Sequence, residues 1–280
     1  MNAVKKTICL LLALSLLALA ACGSFTPRIA VGLKKMSELR SFHSDTTLDA
    51  ELNLSLLGQE LPLTLKLHAV GDHQTAPALN ALTLDVDVWE FSQQILLFTH
   101  LEEDDDLTVS VSMDDGRSWI HQTMRPEPSE SEQTGTTVGS GTLLALAATL
   151  AKSFEEVESG DDGLIRFEGE IPAELVQEML LRIGAPEKLS EAAGIELDES
   201  VLSAVGSVPA SVTVDKESGM IVRLRMDLTQ ALSGPAGRLL PQLLAQSGLE
   251  LDDAALSISR IVIDTELSQF DAVTVVPPSM

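Results

Sequence analysis

Thr47-Leu48-Asp49-Ala50-Glu51-Leu52-Asn53-Leu54-Ser55-Leu56 alternates polar and apolar side chains without a break. After Gly58-Gln59-Glu60, read as a turn, Leu61, Leu63, Leu65, Leu67 and Ala69 alternate with Pro62, Thr64, Lys66 and His68. Successive residues of a strand point to opposite sides, so a period of two gives one apolar face and one wet face. The two runs therefore read as a long antiparallel hairpin. Its apolar face needs a cover from another layer.

The same pattern recurs outward from this hairpin. Leu82, Leu84, Val86 and Val88 alternate with Thr83, Asp85 and Asp87. Leu107, Val109, Val111 and Met113 follow, ending in the turn Asp114-Asp115-Gly116 and a strand around Trp119. In the last third, Val212-Thr213-Val214-Asp215, the turn Lys216-Glu217-Ser218-Gly219 and Met220 to Leu228 predict a second hairpin. There Met220, Val222, Leu224, Met226 and Leu228 are expected inside, and Ile221, Arg223, Arg225 and Asp227 outside. Further strands are expected at Leu164–Glu170, Leu256–Leu267 and Phe270–Val276.

Helical spacing appears between the strands. Ile29, Leu33, Met36, Leu39 and Phe42 predict an amphipathic helix. Helices are also expected over Leu143–Phe154, over Ala173–Ile183 with Pro172 as first helical residue, over Pro186–Ala193 and over Pro235–Gln246. Arg125–Thr142, rich in Pro, Glu, Ser, Thr and Gly, reads as a mobile loop. No composition break divides the chain, so residues 28–280 read as a single domain.

The N-terminus carries a different message. Lys5 and Lys6 precede an apolar stretch from Ile8 to Ala20, and Leu19-Ala20-Ala21-Cys22 follows. This is the layout of an export signal over residues 1–21, too short for an ordinary membrane span. A cysteine directly after Leu-Ala-Ala resembles the bacterial lipobox, which implies acylation of Cys22, palmitate being one such chain. Each buried acyl methylene adds ~0.8 kcal/mol of membrane affinity. Residues 22–27 would form a short tether, since five extended residues span only about 17 Å.

The formal charge of −24 excludes several partners, and loss of Lys5 and Lys6 makes it more negative by two. A nucleic-acid binder needs basic patches, and this acidic protein has too few cations to supply them. Anionic headgroups would repel it too, which leaves attachment to the acyl anchor. Aromatic residues make up 3% of the chain and tyrosine is absent, so the core is built from aliphatic side chains. Cys9 leaves with the signal and Cys22 carries lipid, so no disulfide is expected in the mature monomer.

Catalytic signals are weak. Ser112-Met113-Asp114-Asp115-Gly116-Arg117-Ser118-Trp119 matches the Asp-box pattern of sialidases, but it is solitary, and those enzymes use a tyrosine nucleophile. It reads as a hairpin turn with Trp119 packed beneath. His43, His68, His73, His100 and His121 have no metal-ligand spacing. Glu102–Asp106 and Asp161-Asp162 read as solvated loops, and Asp85 and Asp87 as neighbouring acids on a wet face. No catalytic residue, metal or cofactor is expected, and the chain reads as a non-enzyme.

The order of elements resembles the LppX/LprG-type bacterial lipoproteins and, more distantly, the LolA/LolB lipoprotein carriers. A lipidated cysteine, an amphipathic helix, long hairpins, central helices, the hairpin Val212–Val222 and a last strand ending Val275-Val276-Pro277-Pro278 carry the likeness. It implies an α+β fold, a curved antiparallel half-barrel covered on its concave face by α-helices. It also implies an acyl-binding cavity between sheet and helices. Leu52, Leu54, Leu63, Leu65, Leu84, Val86, Val222 and Leu224 are the expected lining. The function then expected is a monomeric, membrane-anchored holder or carrier of an acylated ligand or lipoprotein cargo. It would sit on the cell membrane or outer membrane, facing the extracytoplasmic side. The alternative is a lipid-anchored interaction or sensor domain without a small ligand.

Overall fold

The computed structural model describes residues 27–56, 58–101, 106–124, 153–159, 163–182, 190, 199–246 and 255–278. Signal, tether and Cys22, the segment 125–152 and most of the 186–193 helix lie outside them.

The first helix, α1, spans Pro27–Ser37. It is shorter than its apolar spacing predicts. Leu39 lies beyond its end and Phe42 stands in β1, which spans Ser41–Leu56. Strands β2 (Gln59–Thr75), β3 (Ala78–Val88), β4 (Phe91–Leu101), β5 (Leu107–Ser112) and β6 (Ile120–Met124) follow as a meander. The β1–β2 connection is tighter than the sequence pattern predicts, because Leu56 pairs with Gln59 and Ser55 with Glu60. Gly58 takes a φ of 75° there, which glycine adopts without steric cost.

The second half begins with β7 (Phe154–Ser159) and β8 (Leu164–Ile171). Phe154 therefore opens a strand instead of closing a helix. Its ring lies over Gly169, where an added Cβ would stand 2.5 Å from it. Helix α2 (Ala173–Arg182) is capped by Pro172, whose carbonyl accepts from Leu175 and Val176. Helix α3 (Glu199–Ser203), strands β9 (Val208–Asp215) and β10 (Ile221–Asp227), helix α4 (Thr229–Gln246) and β11 (Ala255–Ser268) complete the order.

Helix α4 begins six residues before Pro235. The Asp227 carboxylate accepts the Thr229 N–H at 3.0 Å and fixes the first turn. Pro235 then falls inside the helix, where it cannot donate to the Ala231 carbonyl. Gly206 N–H takes that carbonyl instead, at 3.0 Å. A proline that would weaken an isolated helix thus creates the acceptor that ties α4 to the preceding chain.

The described strands form one eleven-stranded antiparallel sheet, ordered β6-β5-β4-β3-β2-β1-β11-β10-β9-β8-β7. Two meanders meet where β1 pairs with β11. The register puts Leu48, Leu67, Val86, Ile263 and Met226 on one face, here called inner. Glu51, Asn53, Lys66, Arg223 and Arg225 share the opposite, outer face, as the alternation requires. Ile29 of α1, Leu175 of α2 and Ala231 of α4 join Phe167, Val212, Leu224 and Ile263 in one inner core.

Three features depart from the sequence pattern. Strand β4 is not marked by alternation, because Ile95-Leu96-Leu97-Phe98 sends apolar groups to both faces. Residues 270–276 are not a strand. After Gln269 and Asp271, both with positive φ, the chain crosses the outer face as an unpaired strap. Asp271 N–H donates to the Ser41 carbonyl, Val273 N–H to Ser41 Oγ and Val275 N–H to Gln74 Oε1. Finally, the outer face is not uniformly wet: Leu79, Phe98 and Val275 are buried there, with Ala81, Trp119 and Val273 packed around them.

Candidate functional site

Seven of the eight expected lining residues share the inner face. Leu52 lies opposite Leu63 and Leu54 opposite Leu61, while Leu65 pairs with both Ala50 and Val88. Leu84 and Val86 continue the row on β3, and Leu224 belongs to the same face on β10. Val222 does not. The β10 register shifts between Ile221 and Arg223, and this bulge sends Ile221, 2% exposed, into the core. Val222 instead lines an outer-face cleft with Arg223 and Glu266. A bulge adds one residue and reverses the alternation beyond it, which the apolar pair Ile221-Val222 hides.

Burial along the inner face is graded. Leu48, Leu67, Leu84 and Ile95 are buried in mid-sheet. Leu52, Leu54, Leu63, Leu65 and Val86 are only half-buried. Toward Gly58 and the turn at 89–90 the face opens further, with Leu61 37%, Val88 44% and Phe91 60% exposed. Trp89 beside them is 68% exposed and has φ 58°, a region disfavoured for side chains this bulky. Among the described residues, α1 packs on β9 and β10 and α4 on β11. The alternation already reached Val88, and carrying it through the turn into the next strand would have marked Phe91. Nothing in the local pattern marks Trp89 as a turn residue.

Polar groups on the inner face are paired. His73 stacks on Phe42 with ring centroids 4.5 Å apart. Its Nε2 meets Ser44 Oγ at 2.8 Å and its Nδ1 meets Asn80 Oδ1 at 2.9 Å. Asn80 Nδ2 donates onward to Thr99 Oγ1 at 2.9 Å. Burial pushes the His73 imidazole below its ordinary pKa, against the Asn80 hydrogen bond and the attraction of Asp72, which raise it.

The outer face holds two open clefts that meet at His43. The larger, about 680 Å³, lies over β8–β11, with Arg166, Arg223, Asp45, Glu266 and Val222 among its walls. Arg223 is committed to Asp264 and Glu266, and Arg166 to Glu168. The smaller, about 270 Å³, lies over β1–β4 beneath the C-terminal strap. His43 Nδ1 donates to Asp72 Oδ1 across 2.7 Å on its wall.

The remaining sequence candidates occupy separate positions. His68 reaches Asp45 at 2.9 Å, His121 reaches Ser110 at 2.7 Å, and Asp85 accepts from Gln94 at 2.7 Å. Asp87 lies opposite Lys66 in the ladder. No group of three metal-binding side chains occurs among the described residues. The Asp-box segment folds as a hairpin turn, as its pattern predicts. Asp114 accepts from Ser112 Oγ at 2.8 Å and from Ser118 N–H at 2.9 Å, and Ser118 Oγ bonds it too. These donors, Ser118 foremost, hold the Asp114 carboxyl at about 2.

No family model matches the chain, and no curated protein matches it. Among solved structures it is similar to a DUF1329 family protein from Desulfovibrio piger, at 10% identity and a TM-score of 0.17, covering 86% of this chain and 89% of that one. It is also similar to a β-barrel-like DUF1849 protein from Brucella abortus, at 8% identity and a TM-score of 0.23, covering 84% and 100%. A third likeness is to an outer membrane lipoprotein-sorting protein domain from Vibrio parahaemolyticus, at 9% identity and a TM-score of 0.18, covering 82% and 86%. Superpositions this loose transfer no function, and the fold rests on the chain's own topology. That topology is an open antiparallel sheet of eleven strands among the described residues.

Proposed function

We propose that this protein is an extracytoplasmic, lipid-anchored member of the LppX/LprG-like group that holds an acylated ligand on the inner face of its sheet, without catalysing a reaction. One observation carries the reading. The apolar row Leu52, Leu54, Leu63, Leu65 and Val86 lies on one face and is left half-buried. Water against such a row is costly, and each acyl methylene moved onto it gains ~0.8 kcal/mol. The lipobox-like Leu19-Ala20-Ala21-Cys22 supports attachment at a membrane, and the acidic surface makes nucleic acid a poor partner.

The test compares two substitutions by native mass spectrometry and thermal melting. Leu54→Trp fills the open end of the row and should strip co-purifying lipid with little change in melting temperature. Leu224 is 5% exposed in the core, so Leu224→Trp should overpack and cost about 1–3 kcal/mol. A parent protein that never carries lipid would reject the holder reading. It would favour a lipid-anchored interaction domain, which the exposed Val88, Trp89 and Phe91 also support.

A further inference from the structure

The outer face of a one-sided sheet should be wet, yet over β2–β4 it is apolar and roofed. Val70, Ala81, Leu96 and Phe98 form the floor of the smaller cleft. Two separate parts of the chain build upward from that floor. The Asp-box turn delivers Trp119 as one wall, and the C-terminal strap lays Val276 and Pro278 across the top. Val275, buried at 5%, and its hydrogen bond to Gln74 pin the strap in place. Trp119 and the strap therefore do more than cover a patch: about 270 Å³ is left between them.

Polar groups enter the cleft at one end. Asp72 and His43 face each other across the β1–β2 ladder, and Thr83 adds a hydroxyl. Asp72 binds His43 through Oδ1, and its side chain keeps 44% exposure. A carboxylate at one end of a cleft whose walls hold Phe98 and Trp119 favours positive charge, since ring faces attract cations and a charged hydrogen bond is stronger than a neutral one. The chain's net charge of −24 adds a long-range pull of the same sign. Few convergent polar groups in an otherwise apolar hollow are the usual make-up of a small-molecule site.

We propose that this outer-face cleft binds a small organic cation with an apolar body, its ammonium on Asp72 and its body between Trp119, Phe98 and the strap. The site is independent of the inner-face row and of any acyl ligand held there. The experiment is calorimetric titration of the full chain, at low salt, with phenethylammonium, 2-phenylethanol and 3-phenylpropionate. Saturable binding of the ammonium, about tenfold tighter than the alcohol, with no binding of the carboxylate, is expected. Asp72→Asn should weaken the ammonium by about tenfold. Val276 is 75% exposed, so it can be changed without touching the fold. Val276→Lys should weaken the ammonium several-fold and Val276→Glu should strengthen it. Equal affinities for the three probes, or an ammonium affinity indifferent to both Val276 substitutions, would overturn the proposal.

Discussion

Arg223 grips Asp264 with two parallel hydrogen bonds, Nε to Oδ1 at 2.8 Å and Nη2 to Oδ2 at 2.7 Å. The pair lies diagonally across the β10–β11 ladder on the outer face. Asp264 raises the Arg223 pKa, chiefly through these bonds. A lysine keeps the charge but not the planar fork. Arg223→Lys should therefore cost about 1 kcal/mol, with solvent around the half-exposed arginine limiting the loss. A urea midpoint equal to that of the parent would show the fork to be idle.

His73 predicts a pH dependence. Its depressed pKa means the folded state prefers the neutral ring, which can donate to Asn80 and accept from Ser44. The stabilisation is present above the ordinary value of 6.5 and is lost as pH falls from there through the lowered pKa. His73→Gln cannot titrate. Its melting temperature should fall less than the parent's between pH 7.5 and pH 5, and parallel curves would refute the assignment.

At the Asp-box turn the sign is the same but the window is lower. Asp114 has its pKa lowered from 3.8 to about 2. Its contribution is complete above 3.8 and disappears as pH falls through about 2. Asp114→Ala should free the Ser112 and Ser118 donors and let Trp119 tilt. In a Trp89→Phe background, where Trp119 is the sole tryptophan, its emission should shift to the red at neutral pH.

Trp89 occupies a left-handed backbone position with its side chain in water. Trp89→Gly should remove about 1–2 kcal/mol of steric strain at that residue, offset in part by glycine's larger unfolded-state entropy. The melting temperature should not fall. A drop of several degrees would mean that the indole packs on something that stabilises the fold.

Ile221 and Val222 make a direct test of register. Ile221→Ala empties a core position and should cost roughly 2–5 kcal/mol. Val222→Ala, on the outer cleft wall, should cost well under half of that. Reversed values would mean that β10 is not bulged.

These two residues also show how far the sequence could be read. Wherever polar and apolar side chains alternate strictly, as in Thr47–Leu56 and Leu61–Ala69, the faces were legible and the inner row followed. Where both faces are apolar, alternation carries no information. Ile95–Phe98 hid a whole strand for this reason, and Ile221-Val222 hid a bulge. The strap at 270–278 resembled a strand because extended chain and paired strand have the same composition. What separates them is hydrogen-bond partners on Ser41 and Gln74, more than 190 residues away. The outer cleft was illegible for a further reason: its floor, wall and roof come from four strands, a turn and the C-terminal tail.

The meeting of β1 with β11 sets the timetable of folding. Every other pair among the described strands joins neighbours in chain order, and such local pairs close quickly. The β1–β11 seam links residues 43–55 to residues 255–268, so its pairing closes the longest loop of any strand pair among the described residues. Without that seam β1 and β11 would each present a bare strand edge, which can pair with the wrong chain. The completed sheet is held together by its first and last described strands, and a cut near residue 260 would leave its two meanders unjoined.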